Sequence, residues 1–83
     1  MTSKAKIDYP CWWTYAILGS DEEDLRLAAG DIARGLRHRV SFSKLSGQKR
    51  YASLHVDIWV ESEADRNRLF QAFQSDSRVR LVI

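Results

Sequence analysis

Apolar and polar residues alternate without a break from Tyr51 to Val60. Ala52, Leu54, Val56, Ile58 and Val60 share one parity, and Tyr51, Ser53, His55, Asp57 and Trp59 share the other. Strand side chains repeat with period two, so the pattern predicts a long strand with one face in a core. The opposite face carries two aromatics, a histidine, an aspartate and a serine. It is the first place to look for function.

The rest of the chain can be read around that strand. Residues 1–8 are polar and form an expected flexible arm. Tyr9-Pro10 sets an extended entry, because the residue before proline avoids the helical region. Cys11 to Leu18 is rich in aromatic and β-branched residues and predicts a first strand. Trp13, Tyr15 and Ile17 are expected to face the core, with Trp12, Thr14 and Ala16 on the other face. Gly19 breaks the strand. Ser20 to Glu23 has the form of a capping box, with Ser20 as cap, and the acids Asp21 to Asp24 suit the positive end of a helix dipole. Leu25, Ala28 or Ala29, Ile32 and Leu36 follow at helical spacing. Arg34 and Arg37 are expected near the negative end. Gly30 is read as a close-packing point on the sheet, and Gly35 as a helix terminator.

Arg39 to Leu45 predicts a second strand with Val40 and Phe42 inward. A turn at 46–49 joins it to the long strand. Ser62 caps a second helix, with Leu69, Phe70 and Phe73 as its apolar face. Arg78 to Ile83 predicts a last strand, with Val79, Leu81 and Ile83 on one parity. The order β-α-β-β-α-β predicts an α+β fold. It is a ferredoxin-like plait over residues 9–83, with a four-stranded antiparallel sheet and both helices on one face. The other sheet face is left open.

Composition adds bounds. Eighty-three residues make one small domain, burying only about 60% of its unfolded surface. Thirteen Lys and Arg against 11 Asp and Glu give a net charge of +2, which demands neither nucleic acid nor anionic lipid. The lone Cys11 makes no internal disulfide, which fits a reducing compartment. No signal-peptide pattern and no apolar run of about 18 residues is present, so a cytoplasmic location away from membranes is expected.

The candidate chemistry lies on the open face: Trp12, Thr14, Tyr51, His55, Asp57, Trp59 and Arg80. His55 and Asp57 lie two apart on one strand, where the carboxylate would hold the imidazole in one tautomer. A Ser53-His55-Asp57 triad is rejected, because same-face neighbours are about 6.6 Å apart and no oxyanion hole is implied. No metal-ligand spacing links His38, His55 and Cys11. Arg37-His38-Arg39 and Lys49-Arg50 read as solvated strand ends. RNA-recognition domains stack bases on aromatics of this same face. Here Lys49-Arg50-Tyr51 only loosely echoes their motif, and Ser53 stands where a second aromatic belongs.

Tyr9-Pro10-Cys11-Trp12-Trp13-Thr14-Tyr15, then Ile17-Leu18-Gly19, the Tyr51 strand, and Glu61-Ser62-Glu63 with Arg66-Asn67 and Leu69-Phe70-Gln71 resemble the YbeD-like family of small bacterial proteins of unknown function. The resemblance spans Tyr9 to Ile83. It implies the plait fold and a likeness to ACT-type regulatory domains, which bind small ligands and pair side by side. It supplies no catalytic residues. The family's usual charged residue after the first-strand tyrosine is Ala16 here. The ACT ligand turn corresponds to Leu18-Gly19-Ser20, where the following acids Asp21 to Glu23 would repel an anion. The expectation is therefore a non-enzymatic regulatory or binding module without catalytic residues, metal or cofactor. Its partner would be a protein, a small molecule or a second copy on the open face. Nucleic acid is disfavoured, and an RNA-binding plait is the alternative.

Overall fold

The computed structural model describes residues 7–42 and 51–83. Most of the expected arm, the end of the expected second strand at 43–45 and the turn at 46–49 lie outside the described residues. Six elements follow in order: β1 (Cys11–Gly19), α1 (Glu22–Ile32), β2 (His38–Phe42), β3 (Ala52–Val60), α2 (Glu63–Ser75) and β4 (Leu81–Val82). The sheet order is β2-β3-β1-β4, with every neighbouring pair antiparallel. This is the α+β ferredoxin-like plait.

The alternation of β3 decides the layering. Leu54, Val56, Ile58 and Val60 are buried with Tyr15 and Ile17 of β1. Leu25, Ala28 and Ala29 of α1, and Leu69 and Phe73 of α2, close the core over them. Tyr15 anchors the second helix twice. Its ring packs on Phe73 at 5.3 Å, and its hydroxyl donates to the Arg66 carbonyl at 2.6 Å. Burial pushes the Tyr15 phenol up to about 12, and the Arg66 cation offsets part of that rise.

Several details depart from the sequence expectation. The cap of α1 is Asp21, not Ser20: its carboxylate accepts from the Asp24 amide at 3.3 Å. Gly19 still pairs with Ala52 in the sheet, so the chain needs Ser20 to leave it. The helix ends at Ile32, which leaves Arg34 and Arg37 beyond its last turn. Gly35 then adopts a φ of 79°, the left-handed conformation glycine takes without strain. Gly30 is exposed, and a Cβ there would meet nothing within 4 Å, so it is not a packing point. Ser62 caps α2 as expected, accepting from the Asp65 amide at 3.1 Å.

Val40 lies opposite the buried Val56 and so has the inward parity, yet it is exposed. It sits on an edge strand that the helices do not reach. The last strand is shorter than expected, and its parity differs. Val79 and Val82 are buried, while Leu81 and Ile83 are exposed. A turn after α2 breaks the register: the Val79 amide donates to the Asp76 carbonyl, and Arg78 closes on the Asp76 carboxylate with two bonds of 2.9 and 2.8 Å. Arg78 also reaches Asp31 at 3.1 Å, tying this turn to α1. The arginine bonds hold the Asp76 carboxyl below the usual range.

Candidate functional site

The pairing registers lay the open face out in rows. Arg37, Trp59 and Trp12 form the first, since the Trp59 amide donates to the Arg37 carbonyl at 2.9 Å and Trp59 pairs with Trp12. Arg39, Asp57 and Thr14 form the second, and Ser41, His55 and Ala16 the third. Ser53, Leu18 and Leu81 form the fourth.

The first two rows make one connected cluster. The indoles of Trp12 and Trp59 meet edge to face, 5.4 Å between centroids and 72° between planes. The Arg39 guanidinium lies 4.8 Å from the Trp12 centroid, and Arg37 lies 6.0 Å from that of Trp59. Aromatic faces carry negative quadrupole charge, so each cation is drawn to its ring. Thr14 Oγ1 donates to Asp57 Oδ1 at 2.6 Å, while Asp57 Oδ2 faces Arg39 at 3.6 Å. Asp57 thus braces Arg39 over Trp12. The carboxylate serves this cross-strand network, and no His55–Asp57 bond forms. His55 has no hydrogen-bond partner among the described residues, and neither a dyad nor the rejected triad exists.

Tyr51 and Arg80 stand apart from this cluster. Tyr51 is eight residues from Trp59 along the chain, about 26 Å in an extended strand. With Leu18 and Leu81 these two residues line an open depression of about 320 Å³. The seven candidate residues therefore divide into an arginine-flanked tryptophan corner, an isolated His55, and an aliphatic corner holding Tyr51 and Arg80. Sequence reasoning passed over Arg37 and Arg39 as solvated ends. The signal was available, because Val40 inward puts Arg39 on the open face.

The turn implied by the ACT likeness is already filled. A Cβ on Gly19 would lie 2.7 Å from the Arg78 carbonyl oxygen and 2.8 Å from Leu25 Cδ2. The space over the glycine belongs to the chain itself, and Asp21 to Asp24 surround the helix start beside it. Among the described residues no group of three or more His, Cys, Asp or Glu is placed to hold a metal ion. No described helix is long and apolar enough to cross a membrane.

These features define a ferredoxin-like plait whose sheet face opposite the helices bears a cation-braced tryptophan pair. The family model described as "Protein of unknown function (DUF493)" matches residues 4–83, and the chain belongs to that family, which is the YbeD-like family. Two solution structures of the protein HP0495 from Helicobacter pylori are similar to it. One matches with a TM-score of 0.80 at 23% identity, covering 99% of this chain and 90% of that one. The other, described as a hypothetical protein, matches with a TM-score of 0.67 at 23% identity, covering 100% and 96%. At this identity the likeness speaks to the fold alone. No curated protein matches the chain.

Proposed function

We propose that this chain is a non-enzymatic, cytoplasmic binding module that takes a protein partner on its open sheet face, anchored by Trp12 and Trp59. The observation that carries the reading is the indole pair itself. Two large aromatics stand side by side on a face that no described element covers, each with an arginine drawn to its ring. Tryptophan and arginine dominate interface energetics when a partner desolvates them. The engagement of Asp57 with Thr14 and Arg39 supports a recognition role over a catalytic one.

The arginines also favour a second reading, single-stranded RNA, whose phosphates they would meet while bases stack on the indoles. Against it, Arg39 already covers the Trp12 ring that a base would need.

Affinity capture separates the two. A protein retained by the wild type is purified and titrated against Trp12→Ala and Trp59→Ala, each shown to be folded by circular dichroism. Each variant is expected to bind at least roughly tenfold more weakly, the loss of one modest anchor. Folded variants that bind the partner undiminished overturn the reading. Salt-dependent binding of a uridine oligonucleotide, lost in both variants, replaces it with the RNA reading.

A further inference from the structure

We infer that the protein partner of this sheet face presents an acidic segment, whose carboxylates are taken by Arg37 and Arg39 while its apolar side chains rest on the Trp12–Trp59 pair. The inference rests on the protein-binding reading above and names the chemistry of the partner.

Charge is segregated in this fold. Of the chain's 11 Asp and Glu, Asp57 is the one placed in a strand; the others lie in the helices, at their caps or in connecting segments. Asp57 is engaged within the cluster, by Thr14 at 2.6 Å and by Arg39 at 3.6 Å. Two guanidiniums therefore stand against one carboxylate, and the cluster keeps a positive charge. Neither arginine is satisfied by its neighbours. The Arg37 side chain meets the Trp59 ring and pairs with no acid among the described residues. Glu61 and Asp65 share a cavity with it, but neither forms an ion pair with it, and Arg68 holds Asp65 at 2.9 Å. The Arg39 side chain is 68% exposed, and 3.6 Å from Asp57 is too long for a hydrogen bond. A guanidinium carries five N–H donors in a rigid fork, so both arginines have donors left for an incoming anion.

The same charge decides among occupants. Residues 1–6 and 43–50 carry Lys4, Lys6, Lys44, Lys49 and Arg50 and no acid, so neither segment holds a carboxylate for these arginines. A second copy docked face to face would set Arg37 and Arg39 against their own counterparts. The indoles weigh against a nucleic acid. Bases stack on exposed ring faces. Here the two rings meet at 72° rather than in parallel, and Arg39 lies over Trp12 at 4.8 Å. A guanidinium over an indole still directs its in-plane N–H groups outward, so ring and carboxylate can be held together. Carboxylates match that fork with two parallel bonds, the strong form of a charge-assisted contact. The indole edges beside it suit aliphatic side chains. An acidic segment with interspersed apolar residues answers both features.

The probe is a blocked octapeptide in which pairs of glutamates alternate with pairs of leucines, titrated to about 1 mM into ¹⁵N-labelled protein, a concentration at which weak binding registers. The indole N–H signals of Trp12 and Trp59 and the Nε–H signals of Arg37 and Arg39 are expected to shift, and the shifts to weaken with added salt. Arg37→Gln and Arg39→Gln, shown to be folded by circular dichroism, should each bind roughly three- to tenfold more weakly, and a peptide with glutamine for glutamate roughly tenfold more weakly. Equal shifts with glutamine or lysine in place of glutamate overturn the proposal. So do undiminished binding by both arginine variants, an unchanged spectrum at the highest concentration, and nuclear Overhauser contacts in the free protein from residues 1–6 or from a second copy to either indole. A uridine oligonucleotide that displaces the peptide at equal concentration assigns the face to RNA and also overturns it. The partner retained in affinity capture separates this proposal from the reading beneath it. A captured protein that needs Trp12 and Trp59 but tolerates both arginine variants overturns the acidic segment alone, whereas one that tolerates the tryptophan variants overturns both.

Discussion

Replacing Gly30 by alanine is expected to stabilise the protein, and replacing Gly19 by alanine to destabilise it. Gly30 lies in the interior of α1 with solvent around it, and an added methyl group meets nothing. The substitution therefore removes backbone freedom from the unfolded chain at no packing cost, a gain of about 0.5–1 kcal/mol. At Gly19 the same methyl group lands 2.7 Å from the Arg78 carbonyl oxygen and 2.8 Å from Leu25 Cδ2. Neither neighbour can move cheaply. Leu25 is fully buried, and the Arg78 backbone is held between its own amide bond to Asp76 Oδ1 at 2.9 Å and the Arg80–Leu18 bond at 2.8 Å. Overpacking of this kind costs about 1–3 kcal/mol. In a domain this small each kcal/mol moves the melting midpoint by roughly 4–8 °C, so the two variants should separate clearly in thermal melts. Urea unfolding followed by tryptophan fluorescence gives the free energies, with the slope expected to stay constant. Two changes of the same sign would refute the reasoning. A neutral Gly19→Ala would show that the turn after β1 has room for a ligand after all.

Two further outcomes follow from single contacts. Tyr15→Phe loses the 2.6 Å bond to the Arg66 carbonyl and should cost about 0.5–1.5 kcal/mol, whereas the Tyr9 hydroxyl is buried with no partner among the described residues and Tyr9→Phe should be neutral or stabilising; equal losses in urea melts would contradict both assignments. Because Tyr15 titrates at about 12 in the fold against 10.0 ordinarily, its share of stability is complete below the unfolded value and fades as pH rises through the folded one, so Tyr15→Phe should blunt the alkaline limb of the stability curve. Asp76 has the opposite sign: its lowered pKa contributes stability that is present above the ordinary carboxylate value and is lost as pH falls through the folded one. Asp76→Asn should therefore lower stability at neutral pH and flatten the acid limb, and an unchanged acid limb in melts between about pH 2 and 7 would exclude the Arg78 pairing as its cause.

The layering of the fold was legible because β3 alternates strictly and one register slip would expose its whole apolar set. Ser62 was equally readable as a cap. Parity alone, however, tells which face a residue takes and not how far across the sheet it lies, which is why Val40 has the inward parity and yet stands exposed at an edge. Cap position is decided by where pairing stops, and Gly19 pairing with Ala52 moved the α1 cap from Ser20 to Asp21. The candidate site shows the same limit. Within β3, His55 and Asp57 sit about 6.6 Å apart, while a directly opposed residue on the next strand is only about 4.5–5.5 Å away. Asp57 accordingly pairs across the sheet with Thr14 and Arg39. Which residues oppose it depends on register, and register is set by the joining of distant segments.

Two demands meet on β1: its inward residues Tyr15 and Ile17 are fixed by the core, while Trp12 and Thr14 carry the cluster on the other face. Trp12 and Trp59 touch at 5.4 Å, so their contributions to a partner bound there are expected to couple. The loss in the Trp12→Ala/Trp59→Ala double variant should then differ from the sum of the two single losses, measured by titration of the same captured protein. Strictly additive losses would mean that the two indoles act as separate anchors, and the edge-to-face pair would carry no weight of its own in recognition.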